Sequence, residues 1–169
     1  FVISFSMRKT SLKATLIPII IYCVLMGVML STFVLFFDWR LLGGAFLATS
    51  LIFGIMSLIS LLSKGNLSGL AVVGMGLIFG SMIISLFTWF LSFISPATFE
   101  TFYWIITFMM FAGMMFITMW DIYRIKKIAE EGALHGNVSL YCAFQLYVDF
   151  IYIFIRMVYF LAAFAGRNR

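Results

Sequence analysis

The sequence predicts an all-α integral membrane protein: a polytopic helical bundle with five transmembrane helices, the last of them central. Three observations carry this. Of 169 residues, 64% are hydrophobic and 10% charged, whereas a soluble domain has about 45–50% apolar and about 25% charged residues. Five runs reach the ~20 apolar residues that a helix needs to cross a ~30 Å hydrocarbon core. The last run carries polar residues on one stripe, which must face protein or water. A water-soluble fold could not cover so much apolar surface with so few charges. The runs are also too long, and too little alternating, for barrel strands.

Residues 1–169 read as a single transmembrane domain, with spans expected at about 14–37, 41–62, 67–94, 102–123 and 140–165. Pro18 falls in the first turn of the first span, where the amides have no helical partner. Asp38-Trp39-Arg40 joins the first span to the second, and Lys64-Gly65-Asn66 joins the second to the third. Ser95-Pro96 ends the third, and Glu100 stands just before the fourth. The longest loop is expected over 124–139. Short connections make neighbouring spans antiparallel, an up-and-down bundle.

Arg8, Lys9, Lys13, Lys64, Arg124, Lys126 and Lys127 collect on one side, and Arg40, Arg167 and Arg169 on the other. The positive-inside rule puts the first side in the cytoplasm. Trp39, Trp89 and Trp104 then mark the outer boundary and Trp120 the inner one, as an aromatic belt would. The apolar run 1–6 before Met7-Arg8-Lys9 reads as the end of an earlier helix, with sequence upstream of Phe1.

The formal net charge of +5 sits in short loops and at the C-terminus, not on one soluble face as a nucleic-acid binder would have it. Cys23 and Cys142 fall in apolar stretches and read as free thiols. The single histidine, His135, lies in a polar loop, so no zinc ligand set is expected, and no cofactor. Asn66-Leu-Ser68 and Asn137-Val-Ser139 match the glycosylation acceptor pattern, but both fall on the predicted cytoplasmic side and should go unused.

A charge in the hydrocarbon region costs at least ~2.5–3.5 kcal/mol, so each one needs a reason. Within the spans these are Asp121, Asp149 and Arg156. Asp149 is the strongest candidate, nine residues into the last span. It belongs to the series Cys142, Gln145, Asp149, Tyr152, Arg156 and Tyr159, spaced three and four apart on one helix stripe. That stripe should line a cavity or path. Asp121 lies near the cytoplasmic end of the preceding antiparallel span, so the two aspartates can meet. Two carboxylates in a low-dielectric site cannot both ionise cheaply, and a shared proton would make a proton-sensitive latch.

Blander readings stand beside these. Asp121 could be an interfacial carboxylate paired with Arg124. Asp149 could satisfy Tyr152 or an arginine. Arg156, two turns from Asp149, could be a structural partner for another helix. Gly76 and Gly80 in the third span, with Gly43, Gly44 and Gly54 in the second, suit close helix packing.

Three stretches carry a resemblance. Met56-Ser-Leu with Ser63-Lys64-Gly-Asn-Leu-Ser68 looks like a turn following a helix that ends in Met-Ser-Leu. Phe116-Ile-Thr-Met-Trp-Asp121-Ile-Tyr-Arg-Ile-Lys-Lys127 is similar to a Tyr-Asp-Thr-Gln segment. Ala143-Phe-Gln-Leu-Tyr-Val-Asp149-Phe-Ile-Tyr-Ile-Phe154 is similar to a closing Leu-Tyr-Leu-Asp-Phe-Ile-Asn-Leu-Phe motif. The chain thus resembles the Bax inhibitor-1 (transmembrane Bax inhibitor motif) family over nearly its whole length.

The resemblance implies seven spans, so that the first two helices, and a second-helix arginine that engages the aspartate pair, would be absent here. It also implies a pH-sensitive calcium leak gated by an aspartate pair that matches Asp121 and Asp149. Gln145, Tyr152, Arg124 and Arg156 are then candidates for path lining or support of the pair, and calcium is the candidate ion at the two carboxylates. Trp120 stands where tyrosine is usual, Ile122-Tyr123 replaces Thr-Gln, Tyr152 replaces Asn, and Arg156 is offset from the usual C-terminal arginine. The expected location is the bacterial cytoplasmic membrane, the alternative being the endoplasmic reticulum or another intracellular membrane.

The expected function is a proton-gated calcium leak channel with the lipid bilayer around it. The alternative is a non-conducting regulator that binds another membrane protein, such as a quality-control protease. An enzyme is not expected. Intramembrane aspartyl proteases carry Gly-x-Gly-Asp and Pro-Ala-Leu segments, and here the aspartates follow Met119-Trp120 and Tyr147-Val148.

Overall fold

A computed structural model describes residues 12–91, 96–132, 134 and 136–167. His135, the run 1–6 and Arg8, Lys9 and Arg169 of the charge count lie outside them. Five helices follow one another: α1 (Leu12–Phe36), α2 (Trp39–Leu62), α3 (Ser68–Leu91), α4 (Pro96–Glu130) and α5 (Asn137–Arg167). All five are long and apolar enough to cross a membrane. Large apolar side chains point outward, as Leu25, Leu51, Leu86 and Phe90 do, while the buried set includes Thr49, Ser60, Ser81 and Thr118. This is the distribution a lipid solvent selects, because each backbone amide is satisfied within its own helix and small or polar residues gather between helices.

Local chemistry sets the helix ends. Asp38 caps α2 by accepting from the Arg40 amide at 3.3 Å. Asn66 accepts from the Ser68 amide at 3.0 Å at the start of α3. Gly132, at φ +67°, closes α4 through its amide on the Ala129 carbonyl, 3.0 Å; only glycine enters this left-handed region without strain.

Several boundaries differ from expectation, and α4 already begins at Pro96 rather than about 102, so that Pro96 and Glu100 lie on helix. α1 begins at Leu12, so Pro18 lies inside the helix, beyond its first turn, where it removes one backbone hydrogen bond. α4 runs 35 residues, to Glu130, and carries Arg124, Lys126 and Lys127 on helix rather than loop. Lys, Arg, Glu and Ala are good helix formers, so charge ends the apolar span without ending the helix.

α5 packs against α1, α2 and α4, and α4 likewise touches three helices, α2, α3 and α5, with α3 lying chiefly against it. Phe160 of α5 meets Trp104, Phe108 and Phe111 of α4. Phe150 meets Phe46 and Phe53 of α2. Tyr159 and Phe144 meet Phe33 and Tyr22 of α1. Ile151 and Val158 are buried like Asp149, although they lie about 200° around the helix from the line through Asp149 and Arg156. Burial on opposite sides is what a central helix shows.

The close helix contact is not where the Gly76 and Gly80 pair suggested. A Cβ on Gly76 would meet nothing within 4 Å, and one on Gly80 only the end of Met109 at 3.6 Å. Gly43 and Gly54 are likewise open, and Gly44 would meet Leu161 at 3.9 Å. A Cβ on Gly74 would instead lie 2.9 Å from the Gly113 carbonyl oxygen, and one on Gly113 3.0 Å from that of Gly74. The α3–α4 seam rests on this pair. A shift of two residues turns a helix face by about 200°, so Gly76 points away from the seam that Gly74 occupies.

Candidate functional site

Asp121 and Asp149 face each other where α4 crosses α5. They are 2% and 5% exposed, which is extreme for carboxylates. Their side chains, and that of Gln145 one turn before Asp149, are close enough to act on one another. Asp121 Oδ1 and Asp149 Oδ2 are buried with no hydrogen-bond donor among the described residues. Two carboxylates this close repel unless a proton lies between them, so the arrangement suits a pair that holds one proton in common.

The neighbouring elements fix this geometry. Ile122 and Tyr123 are buried beside Asp121. The Ser60 hydroxyl of α2 donates to the Met119 carbonyl at 2.7 Å, tying α2 to α4 next to the pair. Lys126, a little over a turn beyond Asp121, donates through Nζ to the carbonyls of Leu61 (2.8 Å) and Ser63 (3.2 Å). Its nitrogen also lies 4.0 Å from Glu130. A lysine on the last carbonyls of a helix satisfies acceptors left without an amide and complements the helix dipole. Nothing in the sequence pattern singled out Lys126 for this contact, because it joins residues more than sixty positions apart.

Arg124 is exposed, its guanidinium 5.5 Å from the centre of the Trp120 ring. Among the described residues it makes no salt bridge to Asp121, so Asp121 is not a simple interfacial carboxylate paired with it.

The stripe on α5 divides in two. Cys142 and Asp149 are buried, and Gln145 turns to the pair. Tyr152 and Tyr159 are 45% and 43% exposed and lie on the α1 side. The expectation that Tyr152 faces the interior is therefore corrected. Residues seven apart stay in line while those offset by three drift about 60° around the helix, which carries 152 and 159 out of the α4 contact. Arg156 stays on the α4 side, and its Nη2 donates to Met110 Sδ at 2.9 Å.

Cys23 and Cys142 are free thiols. No group of three or more His, Cys, Asp or Glu side chains that could hold a metal occurs among the described residues. Two carboxylates and the Gln145 amide offer fewer oxygens than the six to eight that calcium takes, a set suited to a passing ion rather than a resident one.

Residues 1–166 match the family described as Inhibitor of apoptosis-promoting Bax1. The chain is 25% identical to Inner membrane protein YbhL of Escherichia coli K12 over 162 residues, covering 93% of this chain and 67% of that protein. It is 31% identical to an uncharacterized protein of Rickettsia prowazekii over 157 residues, 90% of this chain and 64% of that one. The chain thus spans about two thirds of the length of these relatives. No solved structure matches it.

Proposed function

The chain belongs to the Bax inhibitor-1 family of integral membrane proteins, and from that premise we propose that it is a proton-gated cation leak, with calcium as the transported ion and the Asp121–Asp149 pair as its latch. One observation carries this reading: two almost fully buried carboxyl groups from consecutive membrane helices lie close together, each with an oxygen that no donor among the described residues satisfies. A purely structural role would favour an amide or an arginine at one of the two positions, since burying two carboxylates together is costly.

Removing a shared proton leaves two like charges together, worth roughly 4 kcal/mol at 4 Å with an effective dielectric of 20. A gate moves from 1:99 to 99:1 over ~5.5 kcal/mol, so repulsion of this size is enough to redistribute it. The parted carboxylates would present hard oxygen ligands to a calcium ion. No step requires a covalent intermediate or a cofactor, and the protein is not proposed to be an enzyme.

The test is calcium flux into proteoliposomes, with pH varied from about 5.5 to about 8.5 so that a coupled pair is followed through its protonation steps. Asp121→Asn and Asp149→Asn should each change the pH profile. If both keep the parent profile, the pair is structural. If the parent protein conducts no ion at any pH, the non-conducting regulator is the better reading.

A further inference from the structure

At the end of the bundle away from Lys126, a cavity of about 430 Å³ opens between α3, α4 and α5, with Arg156 in its wall. We propose that this cavity binds a phosphate group, supplied by a phospholipid headgroup or by soluble phosphate, with the Arg156 guanidinium as its anchor.

A guanidinium within a membrane helix must find partners or pay for its burial. It carries five N–H donors in a planar fork. Arg156 gives one hydrogen bond to the Met110 sulfur, a weak acceptor, and none of the carboxylates whose side chains are described lies within 4.0 Å of it. The cavity beside it is where its remaining donors can point. Its position is far from the aspartate pair: Arg156 stands seven residues, about 10.5 Å, beyond Asp149 along α5.

The rest of the lining narrows the ligand. Ser85, Thr88, Tyr103 and Thr107 bring hydroxyl-bearing side chains to the cavity. Thr88 donates to the Ile84 carbonyl at 2.8 Å and Thr107 to the Tyr103 carbonyl at 2.7 Å, so their protons are already committed to their own helices. The guanidinium and the Ser85 hydroxyl are therefore donors that the cavity offers an anion. The mouth is lateral: Ser85, Trp89 and Tyr103 are exposed on the surface that faces lipid. Tryptophan and tyrosine sit at the level of lipid headgroups, where phosphate oxyanions are abundant, and the arginine fork matches two oxygens of a phosphate.

The experiment uses native mass spectrometry of the full chain, released from detergent micelles during titration with phosphatidylglycerol, with diacylglycerol of the same chains as the phosphate-free control. Parallel titrations add inorganic phosphate as competitor. The parent should retain one phosphatidylglycerol at least about tenfold more tightly than diacylglycerol. Arg156→Gln should lose about tenfold in that retention, and Arg156→Lys, which keeps the charge without the fork, should fall between. Displacement by inorganic phosphate assigns the site to soluble phosphate as well; retention unaffected by it assigns the site to the headgroup. Ser85→Ala, which leaves the arginine in place, should weaken retention about threefold and decides the matter should Arg156→Gln fail to fold. Equal retention of diacylglycerol overturns the proposal, as does parent-like retention of phosphatidylglycerol in Ser85→Ala together with whichever Arg156 variant folds.

Discussion

Gly74 and Gly113 bring the backbones of α3 and α4 into contact, so that a Cβ on either would lie 2.9–3.0 Å from the other's carbonyl oxygen. The obstacle is backbone, which cannot turn aside as a flexible side chain can. Gly74→Ala and Gly113→Ala should therefore each lower stability by about 1–3 kcal/mol, the usual cost of overpacking. Gly76→Ala, in open space two residues away, should be neutral or slightly stabilising through its helix propensity. Thermal unfolding in detergent checks this, and a Gly76→Ala loss equal to that of Gly74→Ala would move the seam.

Lys126 ties α4 to the end of α2 through two carbonyls. Lys126→Met keeps the aliphatic stem and removes the donors, so it should cost about 1–2 kcal/mol, while Lys126→Arg should recover part of that. The Lys126–Glu130 contact is exposed on the Glu side, so Glu130→Gln should change stability by less than about 0.5 kcal/mol. Chemical denaturation of the three variants orders them.

The aspartate pair acts as one unit if its members share a proton. Asp121→Asn/Asp149→Asn should then shift the pH profile of calcium flux no further than the stronger single variant, because either substitution already ends the sharing. Two additive shifts would show the carboxyls titrating independently.

Orientation is accessible to labelling. Asn66→Cys and Asn137→Cys, in chains with Cys23 and Cys142 replaced by serine and alanine, should react with a membrane-impermeant maleimide only from the cytoplasmic side. Asn66 caps α3 through the Ser68 amide, so that variant should also lose about 1 kcal/mol of stability. Reaction of either cysteine from outside reverses the topology.

The five helices and the meeting of Asp121 with Asp149 were legible because apolar runs, short connectors and a buried charge act within one span or between consecutive ones. The end of α4 was not, since charged residues continue a helix into water as readily as they leave one; the Glu131-Gly132 step was the available stop signal. The Gly74–Gly113 contact was hidden because the four glycines in α3, at 69, 74, 76 and 80, are equivalent until the rotation of the helix is known. Tyr152 went astray for a related reason: a three-four spacing defines a stripe broad enough to touch two different neighbours, and only the placement of α1 and α4 divides it.

At 35 residues, α4 is about 52 Å long, well beyond a ~30 Å hydrocarbon core. It is a stiff beam gripped near its middle, where Gly113 leaves no clearance against α3. Such a beam is a lever, and Gly113 is its fulcrum. Asp121 and Lys126 ride on one arm; Met110, with the thioether that holds Arg156, and Thr107 ride on the other. A tilt of α4 large enough to part Asp121 from Asp149 would also move Lys126 against the α2–α3 turn and, with opposite sense, Met110 and Thr107 at the cavity beside Arg156.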